Sequence, residues 1–188
     1  MKIRKSLMLL LALGAVTLSQ AQTVKVLPAQ SKITVSGTST LHDWEMGTSS
    51  ITGSSVLEKT EDKVSISTTK IVLKAAQLES ESSGMDEKAH EALQVKKYAD
   101  ISFTQTGTAT AQLKGTKFST TVSGTLTIAG KTRQVNLGIS GDTANGQLKV
   151  TGAADLKMTD FDINPPRAML GAVRAGDEIK VNYEVLLK

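Results

Sequence analysis

Residues 179–187 read Ile-Lys-Val-Asn-Tyr-Glu-Val-Leu-Leu, and this stretch decides the fold class. Apolar residues stand at every second position from Ile179 to Leu187, which is typical of a β-strand with one buried and one solvated face. The same alternation recurs, in shorter form, in seven earlier segments. These are Ile33–Val35, Val64–Leu73, Ile101–Phe103, Val122–Ile128, Val135–Ile139, Leu148–Val150 and Leu156–Met158. The sequence therefore predicts about eight strands and an all-β fold.

The connections between these segments are short and rich in turn-forming residues. The candidate turns are Ala129-Gly130-Lys131, Gly141-Asp142, Asn145-Gly146 and Ala175-Gly176-Asp177. Short connections favour antiparallel pairing in a sandwich or a barrel. The parity of the apolar positions changes between Ile66 and Ile71, so we expect a β-bulge near Thr68–Lys70. This change leaves open which parity faces inward over residues 64–73.

One segment departs from the β pattern. Ser83 is a candidate N-cap with Asp86 three residues later, and Lys96-Lys97 closes the C-terminal end. Met85, Ala89 and Leu93 recur every four residues, as on one face of a helix. These features predict a single helix over roughly residues 85–96, with His90 exposed on it. A helix this short cannot cover a sheet face, but it can close one end of a barrel.

The N-terminus has the three parts of a secretory signal peptide. Lys2, Arg4 and Lys5 form a basic start, Leu7–Leu18 is an apolar run, and Ser19-Gln20-Ala21 offers a cleavage site. The apolar run is shorter than the roughly 20 residues that a membrane-spanning helix needs. We therefore predict a signal peptide over 1–21 and one mature domain over 22–188. The expected location is the periplasm, without a lipoprotein anchor because the chain has no Cys.

Composition excludes several classes of function. The predicted mature chain has 19 basic and 18 acidic residues, so it carries no overall field for nucleic acid or anionic lipid. The absence of Cys excludes disulfides, thiolate metal sites and a cysteine nucleophile. About 167 residues suit one domain with a full core.

The sequence contains no convincing pattern of catalytic or metal-binding residues. No G-x-S-x-G nucleophile motif is present. His42 and His90 do not form a zinc motif, and the Asp160–Asn164 stretch fails as a calcium loop because Pro165 replaces the required Gly. We therefore predict no catalysis, no cofactor and no metal. Trp44, the one Trp of the chain, is either a core residue or part of a ligand cavity.

Several stretches resemble the YceI-like family of exported bacterial proteins. Ser31–Gly37 with Ser39–Trp44 is similar to the opening strands of the family, and Gly124–Val135 to its most recognisable hairpin. Leu156–Ile163, Gly176–Val181 and Tyr98–Phe103 fit further family segments. There are departures: Lys157-Met158-Thr159 stands where Asn-Arg-Ser is common, Asp162 where Gly is common, and Ala99 where Pro is common.

The resemblance implies an eight-stranded antiparallel, lipocalin-like barrel that holds a polyisoprenoid or similar long-chain lipid. A barrel of eight strands can enclose one small ligand. Barrels of this kind can also pair, so a homodimer is compatible with the prediction. The expected function is that of a periplasmic binding or carrier protein for a polyisoprenoid, an isoprenoid quinone or a fatty-acid-like lipid.

The candidate ligand-binding residues are apolar side chains predicted to face the barrel interior or its opening. They are Trp44, Phe103, Leu126, Ile128, Met158 and Phe161 in the interior, with Met85, Leu93 and Met169 at the opening. Each of them is also compatible with simple core packing, because periodicity gives the inward face and not a cavity. Two alternatives stay open at this point: an enzyme or accessory protein acting on an exported lipid, and a ligand-free structural β module.

Overall fold

The computed structural model of the chain describes residues 21–188. The predicted signal peptide, apart from Ala21, lies outside these described residues. Ala21 is the first residue of the first strand.

One antiparallel sheet of twelve strands, with a single α-helix, makes up the fold. The strands are β1 (Ala21–Lys25), β2 (Lys32–Ser39), β3 (Trp44–Thr48), β4 (Ile51–Lys59), β5 (Lys63–Lys74), β6 (Asp100–Gln105), β7 (Ala109–Gln112), β8 (Lys117–Ile128), β9 (Lys131–Asp142), β10 (Leu148–Lys157), β11 (Arg167–Ala168) and β12 (Val173–Leu187), and the helix is α1 (Ser83–Ala92).

The sheet curls into a half-barrel. Its strand order is β1-β4-β5-β6-β8-β9-β10-β12-β2-β3, with β7 paired to β5 and β11 to β12. A bridge between Val26 and Leu187 connects the segment after β1 to the end of β12. Two hydrogen bonds between the main chains of Lys25 and Lys188, at 2.7 and 2.8 Å, strengthen this connection. The curl therefore brings the chain termini of the domain together at one end.

The all-β antiparallel fold with one helix is confirmed, but the predicted strand count of eight is wrong. Leu148–Val150 and Leu156 lie on one strand, β10, so the eight predicted segments fall on seven strands. The strands missed from the sequence are β1, β3, β4, β7 and β11. β1, β3, β7 and β11 have five residues or fewer, and β4 is interrupted by Gly and Ser, so none of these strands shows a long apolar alternation. Hydrogen bonds to a neighbouring strand place these segments in the sheet where their own pattern does not predict it.

The predicted bulge is confirmed. Val56 pairs with Ser67 and Ser54 pairs with Lys70, so β5 contains one residue more than β4 between these pairs. Thr68 has φ 49°, the left-handed conformation typical of an extra residue in a strand. The bulge explains why inward residues have even numbers before it and odd numbers after it.

Two of the four predicted turns are confirmed. Ala129 and Gly130 both have positive φ and form the tight turn between β8 and β9, as a two-residue hairpin requires. Asn145-Gly146 is likewise a turn. Gly141-Asp142 and Ala175-Gly176-Asp177 are not turns, since they lie within β9 and β12. At the latter segment the pairing of β12 with β2 shifts between Ala175 and Ile179, so the strand changes register without reversing.

The helix forms near its predicted position with different ends. Its N-cap is Ser82, whose side chain accepts a hydrogen bond from the Met85 main-chain N–H, so the prediction of Ser83 as the cap is off by one. The helix ends at Ala92, short of the predicted residue 96, because Gln94 adopts φ 53° and the chain turns back there. No helix among residues 21–188 has the length and apolar character needed to span a membrane.

Candidate functional site

The half-barrel encloses one large apolar cavity of about 850 Å³ that runs from the closed end of the sheet to a mouth beneath α1. This volume lies towards the upper end of the range for small-molecule sites, roughly 300–1,000 Å³. The lining comes from the inward faces of most strands, from one face of α1 and from the loops around the mouth. Val, Ile, Leu, Met and aromatic side chains dominate it.

All nine residues predicted from the sequence border this one cavity. Phe103, Leu126 and Ile128 lie on adjacent strands β6 and β8, while Met158 and Phe161 lie on a short 3-10 turn after β10. The remaining four border its mouth half: Trp44, Met85, Leu93 and Met169. The cavity gives these side chains a shared location, and their contact with a ligand stays a prediction.

The strand register orders the wall from mouth to closed end. Leu73 pairs with Ile101, and Ile71 pairs with Phe103 one layer further in. Phe103 pairs in turn with Leu126 on β8. Beyond the bulge the next inward residue of β5 is Ile66, in the cluster that fills the closed end. Successive apolar layers therefore give a long, narrow binding space.

A polar cluster of three side chains interrupts the apolar wall. The Thr69 hydroxyl donates to Gln105 Oε1, the Ser55 hydroxyl is 2.9 Å from Thr69 Oγ1, and Gln105 Nε2 donates to the Ile66 carbonyl at 2.8 Å. Ser55 and Thr69 line the cavity. These groups are hydrogen-bonded to one another and to the main chain, and among the described residues no buried side-chain N or O atom lacks a hydrogen-bond partner.

Trp44 is held in the cavity wall by contacts with the neighbouring strand β2. Its indole N–H donates to the Thr38 carbonyl at 2.9 Å, and its ring lies directly over Gly37, with which Trp44 is paired. A Cβ added at Gly37 would lie 2.5 Å from the ring, so only glycine permits this approach. Trp44 therefore belongs both to the packed wall and to the cavity lining, and the two interpretations drawn from the sequence are compatible.

A short turn after β10 supplies two buried residues of the cavity lining. Met158 and Phe161 are the first and last residues of a 3-10 turn, and both side chains are buried. Asp177 fixes the turn by accepting hydrogen bonds from the Thr159 main-chain N–H at 2.9 Å and from its hydroxyl at 2.7 Å. These hydrogen bonds lower the pKa of the Asp177 carboxyl below its ordinary value.

The turn ends at Asp162 in a conformation that explains one family departure. Asp162 has φ 56°, the left-handed region that glycine adopts without strain. Asp is among the few other residues that tolerate it, and here its carboxylate pairs with Lys131. The hydrogen bond and charge of Lys131 lower the pKa of Asp162. The ion pair thereby connects the turn to the β8–β9 hairpin.

The two histidines have different roles at the mouth. His42 is exposed, borders the cavity and forms a 2.7 Å hydrogen bond between its Nδ1 and the Asp43 carbonyl oxygen. His90 is half-buried, and its Nε2 is hydrogen-bonded to the Leu78 carbonyl oxygen at 2.8 Å. The prediction that His90 is a freely exposed helix residue is therefore wrong. Its side chain attaches α1 to the segment after β5, which a helical pattern alone cannot indicate.

Two loops form the mouth opposite the helix. Thr40 donates its main-chain N–H to the Arg174 carbonyl at 3.0 Å and accepts from the Arg174 N–H at 3.1 Å through its hydroxyl oxygen. The loop 40–43 is thereby joined to the β11–β12 hairpin. Leu41 and Met169, one from each loop, border the opening.

Sequence reasoning missed much of the lining. Among the missed residues are Met46, on the short strand β3, and Leu78, which follows β5. Other lining residues belong to strands that the alternation did predict, such as Ile33, Val35, Ile71, Val181 and Tyr183. Their parity marks the inward face and could have identified them. Among residues 21–188, no group of three His, Asp or Glu side chains could hold a metal ion.

Comparison with known proteins identifies relatives of this fold. A family model described as a YceI-like domain matches residues 25–187 and confirms the resemblance seen in the sequence. None of the curated proteins matches the sequence significantly. The chain is similar to the crystal structure of BcnA from Burkholderia cenocepacia, with a TM-score of 0.68 and 16% identity over 86% of this chain and 98% of that one.

Two further solved structures have the same fold. A polyisoprenoid binding domain from Saccharophagus degradans, implicated in plant cell wall breakdown, has a TM-score of 0.65 and 10% identity over 90% of this chain and 99% of that one. A YceI protein from Campylobacter jejuni has a TM-score of 0.50 and 19% identity over 68% of this chain and 81% of that one. At these identities the likeness concerns the fold alone.

Proposed function

The chain belongs to the YceI-like domain family, and from that premise we propose that it binds a long-chain apolar ligand in the half-barrel cavity. The observation that carries this proposal is the cavity itself: about 850 Å³ of space, open at one end and lined almost throughout by aliphatic and aromatic side chains. A filled core would leave no such space, since protein interiors normally pack to crystal-like density.

The chemistry of the lining favours a ligand without charges along its length. The buried polar side chains of the wall are already hydrogen-bonded within the protein, and the charged lining residues Glu87, Lys88 and Arg167 are exposed to solvent. Binding inside the cavity therefore relies on burial of hydrocarbon. Burying a chain of ten methylenes contributes on the order of 8 kcal/mol before ordering costs. A polyisoprenoid, an isoprenoid quinone or a fatty-acid-like lipid meets this requirement.

The fold of the Saccharophagus degradans polyisoprenoid binding domain supports the choice of ligand class. We further propose that the protein is exported to the periplasm and acts there as a carrier or storage protein, without catalysis. The apparent signal peptide over residues 1–21 supports the export step. A carrier for an insoluble lipid needs a shielded cavity and no reactive groups.

The test is mass spectrometry of an organic extract from protein purified without detergent. We expect the extract to contain a long-chain apolar compound at a molar amount close to that of the protein. Leu126→Trp should fill the middle of the cavity and lose the compound while the protein stays folded. Thr121→Trp is the matched control, because Thr121 lies on the same strand and is exposed to solvent outside the cavity.

A second measurement detects ligand binding even if the original ligand is lost during purification. Trp44 is the only Trp of the chain and borders the cavity, so its fluorescence reports filling directly. Titration with a polyprenol should change the Trp44 emission of the wild type. The size of this change should differ in a Val181→Phe variant, in which a side chain of the cavity lining is enlarged. An empty extract together with no response of Trp44 to polyprenol, fatty acid or quinone would contradict the proposal and favour a ligand-free structural module.

A further inference from the structure

The large apolar side chains exposed to solvent within residues 21–188 all cluster at the cavity mouth. They are Leu41, 66% exposed, Met169, 73% exposed, and Leu170, which is fully exposed. Leu41 belongs to the loop 40–43, and Met169 and Leu170 to the tip of the β11–β12 hairpin. Hydrogen bonds of Thr40 with Ala172 and Arg174 connect the two loops into one rim.

The backbone at the hairpin tip keeps these residues away from the core. Met169 and Leu170 have φ of 50° and 55°, the left-handed conformation that side chains of their size rarely adopt. The Ala172 N–H donates to the Met169 carbonyl, and Arg174 Nε donates to the Gly171 carbonyl, both at 3.1 Å. Strained residues that are held by several hydrogen bonds are typical of functional loops.

Two arginines flank the same tip. Arg167 and Arg174 are directly opposite each other in the β11–β12 pairing, and both are exposed. Among the ion pairs in the part of the chain that the structure describes, none includes either arginine. Two like charges in opposing positions destabilise a hairpin unless a third group of opposite charge lies between them.

Acidic residues line a groove beside the mouth, and one of them, Asp43, lies on the loop 40–43 that also carries Leu41. A second, open groove beside β3 is bordered by Asp43, Glu45, Glu79 and Glu81. The mouth is therefore asymmetric: residues 167–174 of the β11–β12 hairpin include Arg167 and Arg174 and no acidic residue, whereas the acidic side chains lie towards β3. Because the overall charge predicted from the sequence is near neutral, attraction to an anion depends on local groups of basic residues, and Arg167 and Arg174 form one such group at the mouth.

We propose that this rim, formed by Leu41, Met169 and Leu170 with Arg167 and Arg174, is a docking surface for an anionic lipid bilayer. The arginines contact lipid phosphates while the three apolar side chains enter the boundary between headgroups and acyl chains. The bilayer is the occupant that the charge pattern favours, because an apolar rim flanked by arginines matches the apolar and anionic layers of such a surface. The rim also continues the apolar wall of the cavity, so a lipid could pass between bilayer and cavity without crossing water.

The docking surface goes beyond the proposed ligand binding and can be tested apart from it. The whole sheet and its apolar clusters lie within residues 21–188, so a protein of residues 22–188 carries the fold without the apolar run at residues 7–18. Cosedimentation of this protein with vesicles of phosphatidylcholine and phosphatidylglycerol, and with vesicles of phosphatidylcholine alone, measures docking.

Binding to the anionic vesicles is expected to be the stronger and to weaken with added salt. Arg167→Gln should weaken it about fivefold, in line with the contribution of one basic residue near an anionic surface. Leu170→Asn should weaken it about tenfold, because it removes an apolar side chain that becomes buried when the rim enters the bilayer. Asn tolerates the left-handed backbone at this position, so the hairpin should keep its shape.

Lys63→Gln is the matched charge control. Lys63 is exposed on β5 at the closed end, far from the mouth in the register, and its loss should leave vesicle binding unchanged. Leu170→Asn should keep its polyprenol binding, since Leu170 does not line the cavity.

Three outcomes would overturn the proposal. The first is no binding to anionic vesicles, and the second is binding that all variants and Lys63→Gln retain equally. The third is that the wild type does not bind vesicles but self-associates with rising concentration, and that Leu170→Asn abolishes this self-association. That result would make the rim an interface between two copies of the chain. None of these outcomes depends on whether the cavity holds a ligand, which the extract and the fluorescence of Trp44 report.

Discussion

Gln105 is the residue whose side chain completes the polar cluster in the cavity wall. Its Oε1 accepts from the main-chain N–H and the hydroxyl of Thr69, and its Nε2 donates to the Ile66 carbonyl. Since an N–H can only donate and a carbonyl can only accept, these two backbone groups determine the orientation of the amide. The Thr69 hydrogen is then engaged, so the Ser55 hydroxyl donates to Thr69. One buried amide thereby fixes the direction of the whole chain of hydrogen bonds.

Replacing Gln105 with Leu is expected to lower the free energy of unfolding by about 2 kcal/mol, because the partners of the buried amide lose their hydrogen bonds. Leu has a similar volume, so packing changes little. Urea unfolding checks this, with Gln134→Leu on the exposed face of β9 as the control, expected to stay within about 0.5 kcal/mol of the wild type. Equal stability of both variants would show that Gln105 contributes no more than a surface residue.

The sequence could have predicted the direction of Gln105 but not its partners. Gln105 shares the parity of Ile101 and Phe103, so alternation places it inward with them. Its hydrogen bonds go to β5 at the bulge, 36 and 39 residues away in the chain. Such pairings depend on strand order and register, and neither follows from a local pattern. For the same reason the sequence could not decide between core and cavity for Trp44, whose surroundings depend on Gly37 and on α1.

At the scale of one element, the bulge in β5 concentrates strain on Thr68. A β-branched residue with φ 49° is an outlier, because its branched side chain crowds the backbone in the left-handed region. We expect Thr68→Gly to raise the free energy of unfolding by about 0.5–1 kcal/mol, the relief of strain exceeding the added chain entropy of glycine.

The urea midpoints of Thr68→Gly and Thr104→Gly provide the comparison. Thr104 is exposed on the neighbouring strand β6, paired with Lys70, and has an ordinary extended backbone. Glycine there should lower stability by about 1 kcal/mol, as in other strand interiors. A loss of the same size at Thr68 would mean that its side chain stabilises the bulge by more than the backbone strain costs.

The turn Met158–Phe161 depends on Asp177, and its stability should therefore depend on pH. The pKa of Asp177 is lowered in the folded protein by the Thr159 hydroxyl and main-chain N–H. A carboxyl of this kind stabilises the fold above its ordinary pKa, near 3.8, and the contribution is lost as the pH falls through the lowered value. Asp177→Asn should thus be less stable than the wild type at neutral pH, with the difference vanishing in acid.

The measurement is the difference in urea midpoint between the wild type and Asp177→Asn as a function of pH. A difference is the right quantity, because the pKa values of Glu91, Asp142 and Asp162 are lowered as well and cancel in it. Asp160→Asn, a matched change on the same turn, should show no such trend. A pH-independent difference for Asp177→Asn would assign its effect to packing and not to the carboxylate.

Among the elements, the long hairpin and the last strand could be predicted well and the short strands could not. In β8, β9 and β12 apolar residues alternate over many positions, and Ala129-Gly130 marks the hairpin turn. Arg167–Ala168 and Ala109–Gln112 contain no large apolar residue, so their strand conformation follows from pairing with β12 and β5. The helix was predicted by its cap and its four-residue spacing, but its end depends on the left-handed Gln94, which no motif marks.

At the scale of the whole molecule, the half-barrel has a closed end that provides stability and a mouth that provides access. The largest fully buried side chains include Val24, Val64 and Leu148, all in the cluster at the closed end. The exposed apolar residues lie at the opposite end, on the two mouth loops. Stability and ligand exchange are therefore separated along the length of the cavity, so the mouth can change without loss of the fold.

This separation predicts different effects of one substitution at the two ends of β10. Leu148 pairs with Leu187 at the closed end and is 1% exposed, whereas Leu156 is half-buried near the mouth, packed with Met158 and Phe161. Leu148→Ala should lower the free energy of unfolding by about 2–5 kcal/mol, because the removed side chain leaves a cavity among packed neighbours. Leu156→Ala borders space that is already open, so its cost should be nearer 1 kcal/mol, the transfer contribution of fewer buried methylenes.

Ligand affinity should respond in the opposite order. Loss of apolar contact at Leu156 should raise the dissociation constant for a polyprenol about fivefold in the Trp44 fluorescence titration, since about 1 kcal/mol of burial is removed. Leu148→Ala, once corrected for the fraction unfolded, should change it less, because a chain that enters from the mouth reaches the closed end last. If Leu148→Ala weakened binding more than Leu156→Ala, the ligand would make its main contacts at the closed end, and the mouth would act only as a passage.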